Sequence, residues 1–198
     1  MDVKDLFLMQ HGMVHSKAVG GNAGSAAERT FGGVTDEQMK VRPRPDLNSL
    51  AWIMWHITRA EDIMLNNVFA RRDQVMDDAW LKRLGIARRD FGIGMTSDEV
   101  TALTTAIDVA ALREYRDAVG TRTRDIVGGF KDADWAGNVE PSDLERGVAT
   151  GGFGPGLVKA FGGRPRVGVL NGIALFHASG HMGEATTVRS AGGFGTGI

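Results

Sequence analysis

The sequence predicts an all-α fold, a four-helix bundle with long crossover loops. Four segments carry apolar residues at the spacing of three or four that is typical of amphipathic helices. The alternation typical of strands, bounded by turn signals, is hard to find anywhere in the chain. The length of 198 residues suits one core, because a chain of this size can bury roughly 70% of its unfolded surface around it. We therefore expect a single domain over residues 1–198.

The first helical segment spans roughly residues 3–20 and ends at the glycine-rich "GGNAG". A short helical turn is predicted at "TDEQMK", where Thr35 and Gln38 have the spacing of a capping box. The two prolines of "VRPRPD" then predict a loop. The second long helix starts near Asp46 to Ser49, a range that supplies its cap, and continues to about Phe69.

The second half of the chain begins with a polar, glycine-containing stretch over residues 71–96, which predicts a loop. Thr96 and Glu99 form another capping box, which opens a third long helix over about residues 97–127. Residues 130–166 combine glycine, proline and charge, with only a brief helical signal at "PSDLERG". We expect a long connection there.

The fourth helix is predicted over about residues 167–190, with an inward stripe at spacings of three and four. Its glycines at Gly172, Gly180 and Gly183 each cost about 1 kcal/mol relative to alanine. This cost predicts that a close helix neighbour or a ligand needs the room.

The composition excludes several classes of function. With 23 Lys and Arg against 24 Asp and Glu, the formal net charge is -1, so no overall field attracts nucleic acid or an anionic membrane. The absence of cysteine excludes disulfides, thiolate metal sites and a cysteine nucleophile, and it fits a reducing compartment. The N-terminus is too polar for a secretory signal, and no run of about 18 apolar residues occurs. We expect a soluble, cytoplasmic protein.

The histidines give the main indication of function. His177 and His181 are four apart on the predicted fourth helix, so both imidazoles can reach one ion at ~2.0–2.1 Å. The five histidines of the chain should give on the order of 0.1 such pairs by chance, and two occur. His56, on the apolar second helix, is the candidate third ligand. Three imidazoles leave coordination positions for water or substrate, which is typical of a catalytic metal site.

Two charged residues near these histidines have open roles. Glu184, one turn beyond His181, would accept a hydrogen bond from an imidazole or act as a base for bound water. Its alternative is an ion pair with Arg59 or Arg189. Arg59 would anchor an acidic substrate, or it pairs with Asp62.

The second pair at this spacing is His11 and His15, in the first helix. Of the two, His15 is the one that would face the cavity and act as an auxiliary base or orienter. Because no acidic residue and no third histidine joins the pair in the sequence, we expect packing or solvent-facing roles for both.

Two sequence segments resemble those of a known family. The stretch "LNSLAWIMWHITRAEDIMLN" is similar to the second-helix signature of DinB-like (damage-inducible) proteins, with an N-S-aliphatic-A-W start followed by W-H-I, R and E-D. The stretch "LFHASGHMGEATTVRSAGGFG" resembles their fourth-helix H-x-x-x-H segment with its glycine-rich end. "LREYRDAV" in the third helix is also similar, so the resemblance extends over about residues 5–195.

The resemblance implies a four-helix bundle with up-down-down-up connectivity and frequent homodimers. It also implies a divalent metal, most often zinc or nickel, held by one histidine of the second helix and two of the fourth. In this sequence those positions are His56, His177 and His181, the set that the spacing indicates. Some relatives are thiol-dependent S-transferases or isomerases that use a low-molecular-weight thiol, and many have no assigned reaction. The resemblance therefore implies a site and leaves the small-molecule substrate open.

Three functions remain open at this point. The first is a metal-dependent enzyme that activates a thiol, as a cosubstrate, toward an electrophile. The second uses water in the same position and is a hydrolase. The third is a non-catalytic, stress-related bundle for metal binding or dimerisation.

Overall fold

The computed structural model describes residues 2–196, and within this range every regular element is a helix. The all-α prediction is confirmed. The α-helices of this range, numbered in chain order, are α1 (Val3–Val14), α2 (Lys17–Gly20), α3 (Ala26–Phe31), α4 (Asp36–Met39), α5 (Leu50–Glu61), α6 (Asp78–Leu84), α7 (Ser97–Ala106), α8 (Val109–Gly128), α9 (Asp132–Trp135), α10 (Pro141–Ala149), α11 (Gly156–Phe161), α12 (Arg166–Asn171) and α13 (Ala178–Ala191).

Two further stretches have the wider hydrogen bonding of a π-helix. Asp62–Phe69 continues α5, and Gly172–His177 joins α12 to α13. Isolated π-turns inside α-helices occur often at functional sites. The second and fourth predicted helices are therefore present, each with a π segment that apolar periodicity does not reveal.

Helix α5 forms the centre of the bundle. Every one of its residues is buried, and it packs against α8, α13 and α7. Ser49 caps its N-terminus, because the Ser49 hydroxyl accepts a hydrogen bond from the backbone N–H of Trp52 at 3.0 Å. The cap lies within the range that the sequence indicates.

Both predicted capping boxes are present, at Thr35 and Gln38 and at Thr96 and Glu99. The third long helix is nevertheless broken, since α7 ends at Ala106 and α8 begins at Val109. The Asp108 side chain accepts a hydrogen bond from the N–H of Ala111 at 2.8 Å and caps α8. A new N-cap between the two halves replaces the continuous helix that periodicity predicts.

The remaining predictions of element boundaries need similar corrections. The first helix, predicted over 3–20, divides into α1 and α2, because His15 between them has an extended backbone. The predicted loop 71–96 contains α6, and the predicted connection 130–166 contains α9, α10 and α11.

The glycines of the fourth helix do not make room for a neighbouring helix. Apart from the adjoining residues and the helix's own backbone, no heavy atom of the described residues lies within 4 Å of the place where a Cβ would stand at Gly172, Gly180 or Gly183. That part of the expectation is wrong. Separately, no helix in residues 2–196 is long and apolar enough to cross a membrane.

Candidate metal centre

Three imidazoles from two distant parts of the chain meet between α5 and the start of α13. The ring centroids of His56 and His177 lie 4.9 Å apart, and each lies 4.6 Å from the centroid of His181. One nitrogen of each ring lies within 4.8 Å of the others. The closest approach is 3.0 Å, between Nε2 of His56 and Nε2 of His177. The structure thus brings together the three histidines that the sequence singles out.

His56 is held in one orientation by its surroundings. Its Nδ1–H donates a hydrogen bond to the carbonyl oxygen of Phe91, and its ring stacks on Trp52 with centroids 4.8 Å apart and planes 9° apart. Burial lowers the pKa of His56 to about 4, so the ring is neutral near pH 7. With the proton on Nδ1, the lone pair of Nε2 faces the other two histidines.

His181 is oriented by Glu184. Its Nδ1 lies 2.6 Å from Oε2 of Glu184, and Asn48 donates from its side-chain amide to Oε1 at 2.8 Å. Burial alone would raise the pKa of the Glu184 carboxyl, but the hydrogen bonds from His181 and Asn48 lower it below its ordinary value. Glu184 is thus a carboxylate that accepts from an imidazole, and it pairs with neither Arg59 nor Arg189 among the ion pairs of the described residues.

The donor set fits a divalent cation. Burial, together with the neighbouring His56 and His181, lowers the pKa of His177 to about 3, so its ring is also neutral. The Nε2 lone pair of His56 then faces the Nε2 of His177 at 3.0 Å, where either a proton on His177 or a shared cation has to separate the two nitrogens. Imidazole nitrogens suit zinc, nickel and copper, and two of the three rings already donate to an oriented acceptor.

A cavity of about 460 Å³ is connected with this centre through Phe91, while none of the three histidines is among its described lining residues. Its walls come from the 90–93 segment and from the glycine-rich 151–157 segment, which ends in the first turn of α11. The ring of Phe91 lines the cavity, and its centroid is 5.7 Å from the ring of His56. Because the Phe91 carbonyl also holds His56, one residue contacts both the cavity and a candidate ligand.

Arg59 is buried in a different network. Its Nη1 donates to Asp62 at 2.9 Å and to the hydroxyl of Tyr115 at 2.8 Å. Its Nη2 donates to Gln74 at 2.7 Å and to the carbonyl of Arg89. The ion pair with Asp62, one of the two roles that the sequence leaves open, is the contact that the structure contains.

His11 and His15 do have an acidic partner, so the expectation that none joins them is wrong. A solvent-facing role is wrong as well, because both side chains are buried, whereas their packing role agrees with the stacking of the two rings. Nε2 of His11 lies 2.9 Å from Oε1 of Glu61, and Nε2 of His15 lies 2.8 Å from Oε2. These side chains are 0–2% exposed. His15 thus lies in a second polar cluster and not with His56. Burial lowers the pKa of His15 to about 3.

Three groups at these two clusters are not predicted from the sequence. Asn48 stands in the N-S start of the second-helix signature, and Glu61 stands in its E-D end, so both have a sequence signal, although it does not reveal their contacts. The carbonyl of Phe91 has none, because every residue carries the same backbone acceptor.

Comparison with known proteins agrees with this architecture. The family model of the DinB superfamily matches residues 22–185, whereas a search of the curated proteins finds no match. Among solved structures, a conserved protein from Enterococcus faecalis is similar, with a TM-score of 0.70 over 98% of this chain and 99% of that chain. Its identity of 17% supports the fold alone. Since the family model covers most of the chain, the protein belongs to the DinB superfamily.

Proposed function

We propose that the protein is a metal-dependent enzyme that activates a thiol or a water molecule toward a small electrophilic substrate. The observation that carries the proposal is the meeting of His56, His177 and His181 at centroid distances of 4.6–4.9 Å. Thiol transfer ranks above hydrolysis, because thiol-dependent S-transferases are among the relatives that the sequence resemblance implies.

In this proposal the three imidazoles hold one divalent cation, with zinc or nickel the best fits. When bound, such a cation acts as a Lewis acid and lowers the pKa of the nucleophile. His56 keeps its Nδ1 proton on the Phe91 carbonyl, and His181 keeps its own on Glu184. These hydrogen bonds fix which nitrogen of each ring faces the centre.

Glu184 has the main supporting role among the candidate catalytic residues. Both of its oxygens accept hydrogen bonds, so it positions His181 and adds negative charge beside the three rings. Arg59 and His15 contribute through buried networks that stabilise the bundle. The 90–93 and 151–157 segments would contact the substrate, because they form the walls of the cavity that Phe91 connects with the metal centre.

The test measures metal content and turnover separately. His56→Ala and His177→Ala variants should each lose the metal at this centre by elemental analysis, while circular dichroism remains that of a helical protein. Phe176→Ala is the matched control, because Phe176 precedes His177 and is 82% exposed, and it should keep the metal. Turnover of a low-molecular-weight thiol with a model electrophile should disappear with the metal. Unchanged metal content in both histidine variants would refute this site.

The alternative is a non-catalytic bundle that binds metal and dimerises, and one feature favours dimerisation. Met13 and Phe176, which are 41% and 82% exposed, line the same surface groove of about 560 Å³. In this proposal a second copy of the chain covers the groove, and light scattering should give twice the mass of 21.2 kDa. Phe176→Ser should then give a monomer. A metal-loaded protein without turnover of either a thiol or water would favour this alternative over the enzyme.

A further inference from the structure

We propose that His11, His15 and Glu61 form a second site for a divalent transition-metal cation, separate from the His56 centre. Each of the three residues offers one ligand atom, and these atoms lie within 4.8 Å of one another. Two imidazole nitrogens and one carboxylate are a donor set that zinc and similar cations take in proteins.

The geometry of the cluster favours one shared ion. His11 and His15 are four apart on and directly after α1, and their rings stack with centroids 4.2 Å apart and planes 25° apart. Both Nε2 atoms face the same carboxylate, at 2.9 and 2.8 Å from its two oxygens. Two atoms bound to one cation at ~2.1 Å can be at most about 4.2 Å apart. Both nitrogen–oxygen distances lie well within that limit, and the two nitrogens, which lie within 4.8 Å of each other, would also have to meet it when the ion binds.

Burial and charge also favour a cation here. Glu61 is 2% exposed, and a buried carboxylate is costly unless nearby positive charge compensates it. Arg116 interacts electrostatically with Glu61, but the two form no direct ion pair among the described residues, so the charge of Glu61 is only partly compensated. Two neutral imidazoles can each donate an Nε2–H to one oxygen of Glu61, which leaves the carboxylate charge in place, whereas a divalent cation bound to both rings and to the carboxylate compensates that charge.

The site would be structural, because all three side chains are closed off from solvent. Its ion would join the end of α1 to α5, where Arg116 of α8 also donates a hydrogen bond to the carbonyl of Val14 at 2.5 Å. Neither His11 nor His15 has a described hydrogen-bond partner at Nδ1. An oriented acceptor at that atom strengthens metal binding, so we expect weaker binding than at the His56 centre.

Zinc stoichiometry of the full-length protein tests the site. After incubation with excess zinc and removal of unbound metal, wild type should retain about two zinc ions per chain. The His56→Ala/His177→Ala variant should retain about one, and so should His11→Gln/His15→Gln. Glutamine keeps an N–H donor for Glu61, which reduces the risk that the second variant fails to fold. The variant that combines all four substitutions should retain none.

The result that overturns the proposal is a His56→Ala/His177→Ala variant that binds no zinc, or a folded His11→Gln/His15→Gln variant with the stoichiometry of wild type. If the latter does not fold, the thermal melt of His56→Ala/His177→Ala decides. Zinc should raise its Tm, and an unchanged Tm overturns the second site. Failure of the first centre gives a different pattern, namely unchanged stoichiometry on loss of His56 and His177.

Discussion

Nδ1 of His181 lies 2.6 Å from Oε2 of Glu184, and the second oxygen of the same carboxylate accepts from Asn48 at 2.8 Å. Asn48 precedes α5, which carries His56, so this carboxylate connects the two parts of the chain that supply the candidate ligands. Carboxylates in this position orient metal-binding imidazoles and raise their basicity. The side chain of Glu184 is therefore a sensitive place to test the centre.

Glu184→Ala should weaken zinc binding at the His56 centre by about 10–100-fold, the usual effect of removing such an acceptor. Competition with a chromophoric chelator measures this change directly. Glu145→Ala is the control, because Glu145 is exposed on α10 and should leave the affinity unchanged. Equal affinities for the two variants would mean that Glu184 does not support a metal ligand.

Removal of metal should lower the thermal stability of the wild-type protein. A ligand at about 100 times its Kd stabilises the folded state by about 2.7 kcal/mol, which for a domain of this length corresponds to about 5–10 °C in Tm. Melting curves with and without a chelator measure the shift. The Tm of the His56→Ala/His177→Ala variant should change less on chelation. A change as large as that of wild type would show that the stabilising metal binds outside the His56 centre.

Asp62→Ala should destabilise the fold by about 3–5 kcal/mol, because it leaves the buried charge of Arg59 without its carboxylate. Asp62 also accepts a hydrogen bond from the Tyr115 hydroxyl at 2.7 Å. Urea unfolding gives the change in free energy. Asp46→Ala is the matched control: the Arg44–Asp46 pair is 62–67% exposed, and its loss should cost less than about 1 kcal/mol. Similar losses in the two variants would contradict the buried network.

Alanine substitution at two glycines of α8 should change the free energy of unfolding in opposite directions. At Gly120 a Cβ would stand 2.5 Å from Nδ1 of His15, a ring that Glu61 holds in place, so we expect a net loss of about 1–2 kcal/mol despite the better helix propensity. At Gly128 nothing lies within 4 Å, and alanine should stabilise by about 0.5 kcal/mol. Denaturant midpoints compare the two. A stabilising Gly120→Ala would show that His15 is not packed against α8 as described.

Much of the architecture could be predicted from local signals. Ser49 and Thr96 are N-cap residues followed by long apolar stripes, and such signals act within one turn of helix. The break before Val109 is not predicted, because apolar spacing continues across it, although Asp108 offers the same local N-cap signal as Ser49. The π segments leave no periodic trace, so the sequence predicts plain α-helices there.

The candidate sites show the same division between local and tertiary information. His177 and His181 share one helix, so their proximity follows from their spacing. The contacts of Glu61 with His11 and His15 depend on how α1 is rotated against α5, which only packing decides. The acceptor at Phe91 is a backbone carbonyl in a loop, and its position depends on how this loop packs against α5.

The stretch of π-helix at Gly172–His177 has a consequence for the comparison of related chains. Because its turns are wider than those of an α-helix, a return to ordinary winding would absorb the loss of one residue before His177, with His177 and His181 still directed inward. Sequence alignments that forbid gaps inside helices would then shift one ligand-bearing segment by a position. The number of residues between the ligand-bearing segments is therefore an unreliable criterion for recognising distant members of this superfamily.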